Sequence, residues 1–225
     1  VADFHDLDSS IEPEDRTVAN SNEMAFVRDA VNDATGEPKL QECIDAFVLS
    51  GAIKLFREQA GQGSYRHHTM LLHESVEQLA HGALATEVRA LWANSGFAAP
   101  TGLARLRKLY AEDFLPVAEA RAGAFVYPNE FEVLKPFIAK ALAKITALKD
   151  PVIVVNGDKE MASEEIDFDK REVWRILIGG AKLSRGFTVE GLTISYYRRK
   201  TRQADTLMQM GRWFGFRPGY GDLLG

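Results

Sequence analysis

Four short apolar runs limit the folds that this chain can adopt. The clearest is Pro151–Asn156, whose continuous β-branched residues are typical of a parallel strand buried on both faces. Thr69–Leu72, Trp174–Ile178 and Leu192–Tyr197 have similar lengths, and a glycine pair stops the run that ends at Ile178. The runs predict an α/β protein built on a parallel sheet.

Helical patterns fill much of the sequence between these runs. Leu40–Glu58 repeats apolar residues at the spacing of an amphipathic helix, and Ser75 to Gln78 has the form of a capping box for a helix that reaches about Asn94. The stretch 100–150 is also helical in pattern. We predict a helical insertion there, broken at four residues: Pro116, Gly123, Pro128 and Pro136.

Length and composition fit one large domain or one domain with an appendage. The chain has 225 residues, of which 46% are hydrophobic, enough for a sizeable core. We predict an acidic lead-in with helices at residues 1–66 and a larger part at 67–225 that contains the insertion. We also expect both ends to continue into a longer polypeptide.

Two features of the composition predict a cytoplasmic protein. No apolar run reaches the roughly 18 residues of a membrane span, and no signal-peptide pattern is present. The single cysteine, Cys43, excludes an internal disulfide and fits a reducing compartment. Cys43 lies in an apolar helical pattern, which favours a place in the core over a reactive role.

The net charge of −5 hides an asymmetry along the chain. Residues 171–225 hold ten basic and four acidic residues, a balance of +6, whereas residues 1–170 hold 17 basic and 28 acidic residues, a balance of −11. A basic end on an acidic body fits a local surface for phosphates. A solvated basic face without a ligand is the alternative.

The residues that carry chemistry follow the last two predicted strands. In open α/β sheets ligands collect outside the carboxyl ends of the strands, and the loop after Ile178 carries a lysine, a serine and an Arg-Gly pair. A basic run follows Tyr197, and residues 201–214 then have a helical pattern. One face of that helix carries Leu207, Met210 and Phe214, and the opposite face carries Asp205, Gln209 and Arg212.

The order of these elements resembles the second RecA-like lobe of superfamily II helicases. LSRGFTVEGLT is similar to their motif V, and QMGRWFGFR is similar to motif VI, which supplies the arginine finger. More narrowly, the run from Val173 to Asp222 resembles the bacterial Z1 ("Z one") domain. That domain accompanies superfamily II helicase regions in endonuclease-like and restriction-like proteins.

The resemblance implies a RecA-like fold and the C-terminal motor lobe of an ATP-dependent DNA helicase or translocase-like protein, within a restriction or endonuclease-type system. It implies three catalytic residues: Arg212 as the arginine finger, Arg217 as its competitor, and Gln209 as the residue that orients the nucleotide or relays to the DNA side. The residues implied for nucleotide binding are Arg185, Gly186, Thr188 and Asp205. Those implied for nucleic-acid binding are Ser75, Lys182, Ser184, Arg198 and Arg199.

The resemblance also implies the partners. A phosphate-binding loop pattern is absent from the sequence, so ATP and Mg²⁺ are expected only with a P-loop lobe of the same polypeptide. This chain alone is expected to be inactive. DNA is the expected ligand, and a nuclease or a methyltransferase is a further expected partner.

The sequence departs from the helicase pattern at three residues. Gln209 is one residue closer to the Gly-Arg pair than in a common form of motif VI, and Arg217 comes two residues later. Thr188 replaces the usual aspartate after Arg-Gly in motif V. Two alternatives therefore stay open: a DNA- or partner-binding module without nucleotide turnover, and a lobe associated with a nuclease.

No metal site is predicted. His67 and His68 point to opposite faces of an extended strand, and His73 and His81 are eight residues apart. The acidic loop that follows Pro151–Asn156 has no EF-hand spacing.

Overall fold

A four-stranded parallel sheet forms the centre of the protein. The computed structural model describes residues 6, 10–32, 34–37, 39–73, 78–155, 166–179, 189–197 and 220–225. The strands are β1 (His67–His73), β2 (Val152–Val155), β3 (Val173–Gly179) and β4 (Leu192–Tyr197). Their spatial order is β2-β3-β1-β4, and all three pairings are parallel. The predicted α/β class with a parallel sheet is confirmed.

The helices begin and end close to the predicted residues in most places. They are α1 (Asn22–Phe26), α2 (Leu40–Gln59), α3 (Gln78–Asn94), α4 (Pro100–Leu109), α5 (Leu115–Arg121) and α6 (Phe131–Ile145), with a π-helical turn at Tyr110–Phe114 and 3₁₀ turns at Pro13–Asp15 and Gly221–Leu223. Among the helices within the described ranges, none has the length and apolar composition that a membrane crossing needs.

Two of the four predicted helix breaks are wrong. Pro116 lies inside α5, and the chain stays helical because a π-turn precedes it, in which the Leu115 N–H donates to the Tyr110 carbonyl. Pro136 lies inside α6, which continues to Ile145. Gly123 and Pro128 do separate α5 from α6, as predicted.

Burial explains why α6 tolerates a proline. Its buried face packs on α2 and the sheet, and Phe131, Leu134, Phe137, Ile138, Ala141 and Ile145 form that face. Burying one large apolar side chain stabilises a fold by roughly 1.5–3 kcal/mol. Several such residues outweigh the cost of one interior proline, which is about 3 kcal/mol.

Replacing Pro136 with alanine is expected to stabilise the protein. The side chain is exposed, and the substitution restores an N–H that can donate to the carbonyl four residues earlier. Removing the proline should recover about 3 kcal/mol in the helix, and the greater freedom of the unfolded chain should cost up to about 1 kcal/mol, so the net gain is about 2 kcal/mol. Urea unfolding measures this gain as a higher free energy of unfolding. Pro100→Ala is the matched control, because a proline at the first turn of α4 costs nothing there and its replacement should bring no gain.

The sheet has two differently covered faces. The helical face carries Met70, Trp174 and Ile194, and the described helices from α2 to α6 pack against it in one core. The second face carries Leu71 and Leu177, and in the described part of the chain it packs against residues from the β2–β3 and β3–β4 connections: Ile166, Phe168 and Val189. Helix α2 belongs to the same core as the sheet, although the predicted division falls between residues 66 and 67. That division stays a prediction.

The connections between the strands share one handedness. The chain moves from β1 to β2 across the helical face, and it returns from β2 to β3 in the opposite direction with Ile166 and Phe168 on the second face. Opposite directions on opposite faces give the same hand, as expected for parallel crossovers.

The last residues extend the sheet beside β4. The Gly225 N–H donates to the Thr193 carbonyl at 2.9 Å, and the Ser195 N–H donates to the Gly225 carbonyl at 2.7 Å. This is the hydrogen-bond pattern of a parallel neighbour. The chain therefore leaves β4 at Tyr197 and returns alongside it in the same direction.

Candidate functional site at the carboxyl ends of the strands

All four strands end at the same edge of the sheet. Val155 pairs with Gly179, Leu72 pairs with Ile178, and His73 pairs with Tyr197. We call this edge, formed by His73, Val155, Gly179 and Tyr197, the carboxyl edge. Four segments leave it: 74–77, 156–165, 180–188 and 198–219.

The predicted site residues are distributed over three of these four segments. Ser75 is in the first, the motif V residues Lys182, Ser184, Arg185, Gly186 and Thr188 are in the third, and the fourth contains Arg198, Arg199, Asp205, Gln209, Arg212 and Arg217. All of them lie outside the residues that the structure describes. Chain connectivity attaches the first residues of each segment to the carboxyl edge, whereas Thr188 and Arg217 lie near the other ends of their segments, next to Val189 and three residues before Tyr220. The individual roles of all these residues stay predictions.

His73 is the described side chain at the centre of this edge. It is buried, and its Nδ1 lies 2.7 Å from the carbonyl oxygen of Gly179, the last residue of β3. Its ring stacks on Tyr197, the last residue of β4, with centroids 5.2 Å apart and planes at 15°. Because a carbonyl only accepts, Nδ1 carries the proton of this hydrogen bond, and Nε2 is the acceptor atom of the neutral ring.

Two buried hydroxyl groups lie near His73 on the second face. Ser195 and Tyr197 pair with Leu71 and His73 of β1 and so share their face. Their hydroxyl oxygens are buried, and neither has a hydrogen-bond partner among the described residues. A buried hydroxyl without a partner costs about 1–3 kcal/mol, so this part of the second face favours a polar neighbour.

Two basic side chains of α2 are buried at the opposite edge of the sheet, which we call the amino edge. Arg57 of α2 forms two hydrogen bonds with the Asp222 carboxylate, at 2.8 and 2.5 Å, and both side chains are buried. The Lys54 ammonium donates to the Gly191 carbonyl at 2.9 Å and lies 4.0 Å from the ring centroid of Tyr220. These contacts fix residues 220–225 at this edge.

The histidines of β1 point to opposite faces, as predicted. His68 stacks on Phe47 at 4.3 Å on the helical face, whereas His67 packs edge-on against Phe168 on the second face. In the part of the chain that the structure describes, no group of three or more histidine, cysteine or acidic side chains could hold a metal ion. The Cys43 thiol is also unsuited to reactive chemistry, because burial raises its pKa to about 12.

Burial of His68 predicts a loss of stability in mild acid. Desolvation, reinforced by the Lys54 charge, holds the pKa of His68 well below its ordinary value, and burial also lowers the pKa of His67. The unfolded chain binds these protons near pH 6.5, so the free energy of unfolding should fall as the pH drops below about 6.5, by up to about 1.4 kcal/mol per pH unit for each proton. Urea unfolding between pH 5.5 and 7.5 measures the slope. An unchanged slope in His68→Phe would contradict this assignment.

One comparison with known proteins identifies the family. No curated protein and no solved structure matches the chain. The Z1 domain matches residues 39–224, from the start of α2 to the 3₁₀ turn at Gly221–Leu223. This range includes all four strands, the carboxyl edge and every predicted site residue. The chain therefore belongs to the Z1 domain family.

Proposed function

We propose that this Z1 domain is the C-terminal, RecA-like lobe of an ATP-dependent DNA helicase or translocase-like protein. It supplies DNA contacts and an arginine finger, and another lobe of the same polypeptide supplies the P-loop. The observation that carries the proposal is the common carboxyl edge, where the strand ends bring together the starting points of the segments that hold the predicted residues.

The strand order supports a ligand site beside β1. The connection that follows β1 crosses the helical face, whereas the one that follows β3 carries Val189 on the second face. Adjacent strands whose connections leave toward opposite faces form a crevice at their carboxyl ends, which is where open α/β sheets bind ligands. Ser75 follows the end of β1, and Lys182 to Thr188 follow the end of β3. The two segments therefore begin at the strand ends on either side of the crevice.

Residues 198–219 connect β4 to its parallel neighbour at Gly225. The described residues that follow them, Tyr220, Leu223 and Leu224, pack in the core of the helical face. In the proposed lobe, the apolar face of the predicted helix, Leu207, Met210 and Phe214, would pack on the domain, and its opposite face would turn Arg212 toward a partner lobe.

The chemistry requires that lobe. Phosphoryl transfer from ATP needs a phosphate loop, Mg²⁺, a positioned water and positive charge on the oxygens that gain charge. This chain offers the positive charge, through Arg212 or Arg217 with Gln209 beside them. ATP and Mg²⁺ would be held by the P-loop lobe, since no phosphate loop occurs in this sequence. Arg185, Gly186, Thr188 and Asp205 would complete the nucleotide site from this side.

The basic end of the chain favours DNA as the second ligand. The balance of +6 over residues 171–225 concentrates on the segments that leave the carboxyl edge, including Lys182, Arg198 and Arg199. Together with the hydroxyls of Ser75 and Ser184, these groups suit the DNA backbone. The alternative function, a DNA-binding module without ATP turnover, is supported by the same positive charge. In either case a nuclease or a methyltransferase of a restriction system is the partner that the family resemblance suggests.

DNA binding by the isolated chain tests the proposal. Fluorescence polarisation with labelled DNA should show an affinity that falls as salt rises, and Lys182→Ala and Arg199→Ala should each weaken it and reduce the salt slope by about one. Arg66→Ala is the matched control, because Arg66 is exposed at the amino edge. Absence of salt-dependent binding, or an equal loss in the control, would contradict the proposed DNA site. DNA-stimulated ATP turnover by the full-length protein then separates a motor from a binding module.

A further inference from the structure

Residues 10–32 form an arm that lies before the range matched by the Z1 domain. The arm includes α1 and caps this helix with its own side chains. The Ser21 hydroxyl accepts a hydrogen bond from the Met24 N–H at 3.0 Å, and the Arg28 guanidinium donates to the Met24 carbonyl at 3.1 Å. Side chains of the arm therefore satisfy backbone groups at both ends of α1, so the arm can keep its local structure as a unit.

Three contacts hold the arm on the π-helical turn and α5. The Phe26 ring is buried in the core of the helical face, with the Arg121 guanidinium 5.9 Å from its centroid. Arg28 donates from Nε to the Asp113 carboxylate at 3.1 Å, and Arg121 donates from Nε to the Val18 carbonyl at 2.6 Å. Asp113 lies in the π-helical turn and Arg121 is the last residue of α5, and we call the surface that they form the arm site. The arm site holds an aromatic side chain, a guanidinium and a backbone carbonyl.

The arm and the helical stretch that carries the arm site have complementary charges. Residues 10–32 hold five acidic and two basic residues, whereas residues 100–121, which include α4, the π-helical turn and α5, hold three acidic and four basic residues. Complementary charge favours the docking of an arm that arrives from another molecule as well as that of the chain's own arm.

The polar contacts of the arm are partly exposed. The side chains of Arg28 and Asp113 have 37% and 24% of their surface exposed, and an exposed ion pair contributes little to stability. A turn joins the arm to α2; in this turn the Asn32 N–H donates to the Glu37 carbonyl at 2.8 Å, and Gly36 has a φ of +68°. A segment with few buried side chains and exposed polar contacts opens at a low free-energy cost, so the arm can leave its site while α2 stays packed.

We propose that the arm site is an interface between two copies of this chain, in which each copy docks its arm on the other. The segment that the site holds in the structure is this arm, and a second copy carries both the arm and the site. Reciprocal docking reproduces the contacts of the arm, so it costs only the association of two chains and a rearrangement of the turn at residues 32–37. A short tether gives the arm an effective concentration of about millimolar for its own site, so exchange in the unmodified chain should become measurable near that concentration.

Reversing the charge on either side of one contact gives two variants that should pair with each other. In Asp113→Arg and in Arg28→Asp, the arm meets a like charge on its own site. When the two variants are mixed, the arm of each finds an opposite charge on the site of the other. At about 0.1 mM chain, below the concentration at which the unmodified chain exchanges, sedimentation velocity should show monomers for each variant alone and a 1:1 heterodimer for the mixture. Native mass spectrometry should find the heterodimer at least about tenfold more abundant than either homodimer.

A second exposed ion pair is the matched control. The Arg107 and Glu132 side chains, on α4 and α6, form an ion pair and are 56% and 54% exposed, so a mixture of Arg107→Glu and Glu132→Arg should stay monomeric. The double variant Arg28→Asp with Asp113→Arg restores the contact within one chain and should also stay monomeric at this concentration. Monomers in the mixture of Asp113→Arg and Arg28→Asp, or an equal yield of heterodimer in the control mixture, would overturn the proposal.

A labelled peptide of residues 10–32 gives a measurement that needs no charge reversal. Phe26→Ala weakens the arm of the chain and leaves Asp113 and Arg121 in place. Fluorescence polarisation should therefore show the peptide bound about tenfold more tightly to Phe26→Ala than to the unmodified chain, whose own arm occupies the site. A peptide with Arg28→Ala should bind more weakly, because it lacks the charge that pairs with Asp113. Absence of binding to Phe26→Ala, or binding that does not depend on Arg28, contradicts docking between copies.

Discussion

If the proposed function is right, replacing Arg212 with alanine should lower ATP turnover by the full-length protein by about 10³-fold or more. An arginine finger stabilises the charge that develops on the transferred phosphoryl group, and its measured contribution in GTPases is about 10³ to 10⁵ in rate. Because that stabilisation acts in the transition state, kcat should fall while the affinity for ATP changes little. Steady-state turnover at saturating DNA, together with binding of a non-hydrolysable ATP analogue, measures both.

Two arginine controls make the result specific. Arg217→Ala tests the competing finger, which stands two residues later than the common motif VI spacing. Arg66→Ala removes the same charge at the amino edge, where Arg66 donates to the Asp169 carbonyl at 2.7 Å, and it should leave turnover unchanged. Full turnover in Arg212→Ala with a large loss in Arg217→Ala would move the finger to Arg217. Full turnover in both variants would remove the finger from this chain.

The strands could be predicted because their sequence pattern is local. β4 has the predicted bounds, and β1 and β3 extend the predicted runs by one or two residues at each end. The predicted helix breaks at Pro116 and Pro136 are wrong because a helix can tolerate a proline, depending on the surface that the helix buries and on the turn that precedes the proline. Neither property is visible in the residues next to the proline.

The centre of the carboxyl edge could be predicted only in part. A histidine at the end of a strand, on the edge where ligands bind, is a local signal, and sequence reasoning considered His73 only as a metal ligand. Its contacts with Gly179 and Tyr197 depend on the order β3-β1-β4, which places β1 between two strands from much later in the chain. The crossovers set the strand order, so the apolar runs in the sequence do not predict it.

The buried ion pair at the amino edge shows the same limit of local patterns. Arg57 appears in the sequence as the polar end of an amphipathic helix, and Asp222 appears as a residue after the motif VI resemblance. They are 165 residues apart and meet because residues 220–225 return beside β4. This pair therefore ties the end of the 198–219 connection to α2.

Replacing Asp222 with alanine is expected to destabilise the protein by about 3–5 kcal/mol, because the substitution leaves the Arg57 guanidinium buried without its carboxylate. The loss should appear in urea unfolding as a lower midpoint with little change in the slope. Asp150→Ala is the matched control, since the Arg89–Asp150 pair is largely exposed and exposed pairs contribute about 0–1 kcal/mol.

The double variant Arg57→Met with Asp222→Leu decides what the pair contributes. Replacing both partners removes the buried charge, so the double variant should be more stable than Asp222→Ala, even though the Arg57 bond to the Val126 carbonyl is also lost. If the double variant recovers stability but binds DNA more weakly than the unmodified chain, the ion pair serves to fix residues 220–225 and the connection before them. If Asp222→Ala unfolds at the midpoint of the unmodified protein, the pair is not the anchor that its burial indicates.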